Sequence, residues 1–403
     1  MSLRPDYDRV VTALTPLQPA TPSGLAGPGQ DPLALADVQG NLLRGYTMAF
    51  VRHLVVRVSN ASAARRFLAD ILDDNGDGPR LTTAAHWDQE PPYCLNLGIT
   101  ATGLQALGLG AKTMATFPEE FRIGSTGRAT KVGDVGGSDP VHWRDGFDDA
   151  NKVHLIWNVH AQTEFMLQQH CDQLEELWAA SGAFTVTSRL DGARLPDKVT
   201  GEPSTDVHFG YRDDVAQPRF QVDGEVIGLS DRQPLVPVGA LLQIHGETSF
   251  SDVKWQVPKL ITEHGDDDEL SHGSCFSAFR VMEQDVDAFE GFIESEAEKQ
   301  GWNKEYLAAK FMGRWRNGVP VALTGDEEKW SAPDAPMPQF DDVTLVDGEP
   351  LTEESLNAFD RRSTVPGRRS HPASESSQQS HRATQREPHS SNRAPRHAVW
   401  PTI

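Results

Sequence analysis

Between Val51 and Ala179 the apolar residues switch repeatedly between the period of a strand and that of a helix. That order of elements constrains the fold more than any other feature of the chain. Val51 to Val58 interleaves apolar and basic residues, which predicts a half-buried strand. From about Ala61 to Leu72 the spacing puts Ala64, Phe67, Leu68, Ile71 and Leu72 on one face of a helix. Leu95 to Thr100 reads as a second strand, and Thr102 to Leu107 as the capped start of a helix. Strand Val153 to His160 and helix Thr163 to Ala179 complete a pattern consistent with one ferredoxin-like half. The second half repeats the order without repeating the sequence. Strands are predicted at Leu241 to His245 and Ser274 to Val281. A helix is predicted at Glu283 to Ala297, with Val286, Phe289, Phe292 and Ile293 inward, and another at Tyr306 to Trp315. The expected class is α+β with antiparallel sheets.

A chain of 403 residues can bury one large core or two domains of ordinary size. A net charge of −21 argues against nucleic acid and anionic membranes as partners. No apolar run approaches the length of a membrane span, and Met1 to Asp6 lack the apolar core of a secretion signal. The expected location is cytoplasmic. Cys94, Cys171 and Cys275 are scattered, with neither C-x-x-C nor C-x-x-C-H. They suggest a reducing compartment, no disulfide framework and no covalent haem attachment.

One turn stands out chemically: Asp206-Val207-His208-Phe209-Gly210-Tyr211-Arg212-Asp213-Asp214, closed by Pro218. Gly210 frees the backbone for a tight turn, and a basic and two acidic residues follow at once. By spacing alone this is first a polar β-turn beside a strand, and second a place where a carboxylate could meet a ligand.

Asp37-Val38-Gln39-Gly40-Asn41-Leu42-Leu43-Arg44-Gly45-Tyr46 could be a short amphipathic turn with glycine stops. It closely resembles the D-x-Q-G-N-I-L-R-G-Y opening of the dye-decolorising peroxidases, which are haem enzymes. Asn96 to Leu109 and Phe117 to Asp134 resemble further segments of that family, and Met312-Gly313-Arg314-Trp315-Arg316-Asn317-Gly318 resembles its M-x-G-R-W-x-x-G, matching it over Gly313 to Gly318. The turn above then resembles the family's G-x-x-D-G signature. Asp213 stands for the distal acid/base, with Gly210, Arg212 and Asp214 at the cofactor. Asp214 replaces the second Gly and adds a negative charge beside Asp213, which Arg212 opposes. The resemblance implies two ferredoxin-like domains of the dimeric α+β barrel type, with haem b held in the second. With composition marking a disordered lead-in at 1–35 and a disordered basic tail at 361–403, the expected domains are 36–200 and 201–360.

The tail breaks the pattern. It holds eight Arg, eight Ser and four His against two acidic residues. The family places its proximal haem ligand here, in a segment reading roughly C-P-x-G-A-H-I-R-R-x-N-P-R, and that segment is absent as written. Joining the last two bases of each codon to the first of the next, with allowed synonyms, changes this. Arg369 to Gln378 then permit A-H-I-R-R-(V/A)-N-P-R, behind C-P-x-G, and Ser390 to Pro401 permit H-R-I-V-R-R-G-M-P-(Y/F)-G. The second run resembles the family's distal-Arg segment. The hypothesis is a frameshift shortly after Phe359-Asp360, which a codon-level read lacking that frame would sink.

Two functions follow. One is a haem peroxidase that uses hydrogen peroxide to oxidise aromatic dyes or phenolic donors, compatible with a homo-oligomer. The other is a non-catalytic remnant unable to hold haem, because the proximal His and distal Arg segments are missing in frame. His371 and His381 lack apolar neighbours, so no metal ligand is assigned. His154 and His160 read as core or edge residues of a strand, His208 as structural, and Trp157 and Trp315 as core.

Overall fold

The structure is a computed structural model that describes residues 33–72, 78–197, 199–213, 218–222, 225–228, 235–242, 248–249, 255–256, 273–344 and 350–352. The described residues fall into two compact units, one of 33–204 with 218–281 and one of 205–213 with 282–352. Asp214, most of the lead-in and the basic tail lie outside the described residues.

The first unit is built on β1 (Phe50–Val58), α1 (Ala61–Leu72), β2 (Tyr93–Ile99), α2 (Ala101–Ala106), β3 (Leu155–Ala161), α3 (Glu164–Ser181) and β4 (Phe184–Ala193). The four strands form one sheet in the order β2-β3-β1-β4, antiparallel throughout. This is the ferredoxin-like βαββαβ arrangement. Each helix starts and stops where its sequence signals it. Thr100 caps α2 by accepting the Gly103 N–H, and Thr163 caps α3 through Met166 N.

Because side chains alternate across a strand, the sheet has two different faces. On one, Leu54, Val56, Leu95, Trp157 and Val159 pack against Ala64 and Ile71 of α1 and Leu167, Leu174 and Trp178 of α3. The other carries a buried polar row, Asn96, Asn158 and His53, opposite one another across three strands. Tyr46 donates to Asn96 Oδ1 at 2.8 Å, and His53 Nδ1 lies 2.6 Å from Asn158 Oδ1.

The Asp37–Tyr46 motif acts here as a clasp on the edge of the sheet. The Gln39 side-chain amide pairs with both main-chain groups of Leu97 on edge strand β2, at 2.8 and 2.7 Å. An exposed edge would otherwise present these groups for pairing with another chain. Gly40 must be bare, since a Cβ there would meet the Tyr46 hydroxyl at 2.6 Å and the Thr83 carbonyl at 2.9 Å.

The structure departs from the sequence reading at five places. The polar edge strand β4 was not foreseen. Ser274–Val281 carries no strand; its side chains instead cover the first unit. Phe279 lies edge-on to His53 with ring centroids 5.1 Å apart, and Arg280 pairs with Asp134 at 2.5 Å. Leu241–Leu242 form no strand, and 243–245 lie outside the described residues. Phe292 of the second unit is 48% exposed, although helical spacing placed it inward. The described residues between 218 and 281 cluster with the first unit, although the sequence reading groups them with the second domain. The reason is a shared core, in which Val222, Ile227 and Leu242 pack with Leu33, Val38 and Leu43. This segment forms a small sheet of β5 (Arg219–Val222), β6 (Glu225–Ile227) and β7 (Leu235–Pro237), whose β5–β7 pair is parallel.

Two histidines give the first unit an acid limb. Burial holds the His53 and His160 imidazoles below their ordinary value, His160 down to about 4. Both are neutral when folded, whereas unfolded imidazole gains a proton below about 6.5. Stability is therefore full above pH 6.5 and lost as pH falls toward 4. From His160 alone the loss at pH 5 is expected to reach about 2 kcal/mol. Urea midpoints at pH 7.5 and 5 would show it, and His160→Gln should flatten that difference.

Candidate functional site

In the second unit, two short hairpins stand side by side. The first spans 205–213: Asp206 bridges Arg212, Val207 N donates to Tyr211 O at 2.8 Å, and Asp213 N donates to Thr205 O at 2.9 Å. Gly210 sits at its tip with φ +77°, a left-handed conformation that side chains disfavour. The second spans 314–320 and follows directly from helix α5 (Lys304–Met312), which ends at Gly313. Trp315 N donates to Val319 O at 2.8 Å, and the Trp315 ring is buried in the unit's core with Tyr306, Val319 and Trp330.

Arg316 joins the two hairpins. Its carbonyl accepts from Arg212 N at 2.8 Å, and its Nη1 donates to the Phe209 carbonyl. Two carboxylates hold the guanidinium: Glu305 at 2.9 Å on Nε and Glu290 at 2.6 Å on Nη2. Its plane also lies over the Tyr211 ring, 5.0 Å from the centroid. A Cβ on Gly210 would sit 2.8 Å from Arg316 Nη1, so the close fit needs glycine at the tip. Tyr211 is buried and donates its hydroxyl to the Ala308 carbonyl at 2.8 Å. Burial pushes its phenol pKa up, with Arg316 opposing.

An aromatic surface leads away from the turn across α4 (Val286–Gln300) and α5. Phe209 meets Phe289 with centroids 4.7 Å apart, Phe289 meets Phe311 at 6.4 Å, and Phe311 meets Phe292 at 5.9 Å. Phe311 is 55% and Met312 62% exposed. A contiguous exposed apolar patch of this kind is a feature of ligand or partner surfaces.

Of the residues singled out in the sequence, Gly210, Arg212 and Asp213 lie together on one turn, with Asp213 exposed and Arg212 half-buried. Asp214 lies outside the described residues. His208, on the same turn, is half-buried and carries the only imidazole among the described residues of this unit. Among the described residues no cluster of three or more His, Cys, Asp or Glu could hold a metal ion. The three cysteines are free. Among the described residues, no helix is long and apolar enough to cross a membrane. Sequence reading missed Arg316, Glu290 and Glu305. Arg316 occupies a variable position of the M-x-G-R-W-x-x-G pattern, and only its place two residues after Arg314 hinted at a shared strand edge.

No family model matches the chain. Among curated proteins it is 27% identical over 327 residues to Peroxidase 2 of Mycetinis scorodonius, covering 81% of this chain and 55% of the relative. It is also 27% identical over 341 residues to a dye-decolorizing peroxidase of Mycena epipterygia, covering 81% and 58%. Among solved structures it resembles a dye-decolorizing peroxidase in complex with 2,6-dimethoxyphenol, with a TM-score of 0.56 and 25% identity over 73% of this chain and 62% of that one. In sequence and in fold the chain is similar to dye-decolorising peroxidases. A second dye-decolorising peroxidase structure, 19% identical with a TM-score of 0.59, covers 85% of this chain and 65% of its own. These neighbours fit the two-domain, ferredoxin-like α+β fold expected from the sequence. The chain spans somewhat over half the length of the curated dye-decolorising relatives it matches.

Proposed function

We propose that the chain is a haem-dependent peroxidase that uses hydrogen peroxide to oxidise aromatic dyes or phenolic donors. The observation that carries this reading is the Asp213 turn set at the head of the aromatic row Phe209–Phe289–Phe311–Phe292, whose far members Phe311 and Phe292 are exposed. A carboxylate beside an apolar face would suit a flat, apolar macrocycle that activates peroxide. On this reading Gly210, Arg212 and Asp214 lie at the cofactor and the aromatic surface supports the ring.

The fit is one-sided. A residue that holds the iron would have to come from outside the Asp213 turn. His208 shares its turn with Asp213, so it does not suit the ligand role. The remaining histidines of the chain's C-terminal part, including His371 and His381, lie outside the described residues.

When bound, haem supplies the redox chemistry, giving electrons to peroxide and recovering them from the aromatic donor. The protein's part is proton traffic. The Asp213 carboxylate takes the proton from one peroxide oxygen and returns it to the other, so the leaving oxygen departs as water. Arg212, beside it, keeps a positive charge near the anion that forms.

Haem titration of the full 403-residue chain, read by Soret absorption, tests the proposal. One haem per chain together with peroxide-dependent oxidation of a phenol is the expected result. Failure to bind haem stoichiometrically would instead support the second reading, a non-catalytic remnant. That reading rests on the absence of the proximal His and distal Arg segments from the written frame.

A further inference from the structure

We propose that Arg316 is a positioning residue for Asp213, acting through the Gly210 turn; the inference rests on the peroxidase reading above. Arg316 grips the turn at two points, its own carbonyl on Arg212 N and its guanidinium on the Phe209 carbonyl. Arg212 is the residue immediately before Asp213, and Phe209 the one before the left-handed glycine. The main-chain bonds Val207 N to Tyr211 O, Gly210 N to Val207 O and Asp213 N to Thr205 O close the hairpin on itself, whereas Arg316 ties it to the helical framework. Glu290 projects from α4 and Glu305 from α5, so the guanidinium is held from two helices at once. With both carboxylates on its fork and Tyr211 under its face, Arg316 is anchored before any ligand arrives. Arginine suits this task because its planar fork satisfies several acceptors in fixed directions, which an ammonium group does not. Tyr211 adds a further tie, through its hydroxyl on the Ala308 carbonyl of α5.

A carboxylate that must face two peroxide oxygens in turn depends on its backbone being fixed, and small misplacements cost orders of magnitude in rate. Arg316 does not touch the reacting atoms in this account. Its effect passes through the position of Asp213, which makes the prediction specific.

The test is a pair of double-mutant cycles on the full chain. In the first, folding stability is measured for Gly210→Ala, Arg316→Ala and the double variant. Gly210→Ala should depress the folded-to-unfolded ratio roughly fivefold to 100-fold more in the parent than beside Arg316→Ala, where the 2.8 Å encounter is gone. In the second, peroxide-dependent turnover of haem-loaded protein is compared for Arg316→Ala, Asp213→Asn and the pair. Arg316→Ala should lower kcat about tenfold to 100-fold with the donor KM and the Soret band unchanged, and add nothing to Asp213→Asn. Arg316→Lys should recover part of kcat, since it keeps a charge between Glu290 and Glu305 without the fork. An undiminished kcat in Arg316→Ala, or the same fractional loss in the Asp213→Asn background, overturns the inference while leaving the peroxidase reading intact. Equal turnover of Asp213→Asn and the parent, or no haem binding, overturns the peroxidase reading. In that case the stability cycle alone decides whether Arg316 holds the turn, and additive losses there reject even that role.

Discussion

Asp213→Asn is expected to lower peroxide-dependent turnover by about 10²- to 10⁴-fold while leaving the haem Soret band in place. The amide has nearly the shape of the carboxylate, and the hairpin is held by the Asp213 main chain, whose N–H donates to Thr205 O. Substitution at the side chain should therefore spare the fold and remove only the proton acceptor. Rapid-mixing measurement of the Soret change after peroxide addition isolates that step from donor oxidation. An unchanged rate would mean that another group moves the proton, and would withdraw the role assigned to Asp213.

Trp178→Ala should be the most destabilising single change among the residues discussed, at about 3–5 kcal/mol. The indole is buried between α3 and the sheet, within 5.6 Å of Trp157, 5.8 Å of Phe184 and 6.4 Å of Phe67, measured between ring centroids. These rings fill the space between both helices and the sheet, so removing one leaves a cavity that its rigid neighbours cannot close. Chemical denaturation of the full chain gives the measurement, and Leu177→Ala is the internal control. Leu177 precedes Trp178 on the same helix but is 37% exposed, so its loss should cost under about 1 kcal/mol. Equal costs for the two would show that helix propensity, not ring packing, sets the effect.

The sequence by itself located three of the four strands of the first unit's larger sheet and the two long helices packed on it. The helix predicted at Ala61 to Leu72 is found at those residues, and the strands predicted at Val51 to Val58 and Val153 to His160 begin and end within two residues of the observed ones. Hydrophobic period and capping residues are local properties, so they are readable without the fold. The resemblance to dye-decolorising peroxidases was legible for a related reason, because the Asp37–Tyr46 and Met312–Gly318 motifs are contiguous in the chain. The tertiary structure alone decided three things. Strand β4 is mostly polar and becomes a strand because β1 offers it an unpaired edge. Ser274–Val281 has the pattern of a strand but carries none, and its Phe279 and Arg280 meet His53 and Asp134 instead. Arg316 reaches the Gly210 turn across roughly a hundred residues of chain, and no spacing rule connects positions that meet only through packing. A side chain's period can be read along a sequence; its partner across the fold depends on the geometry of everything between them.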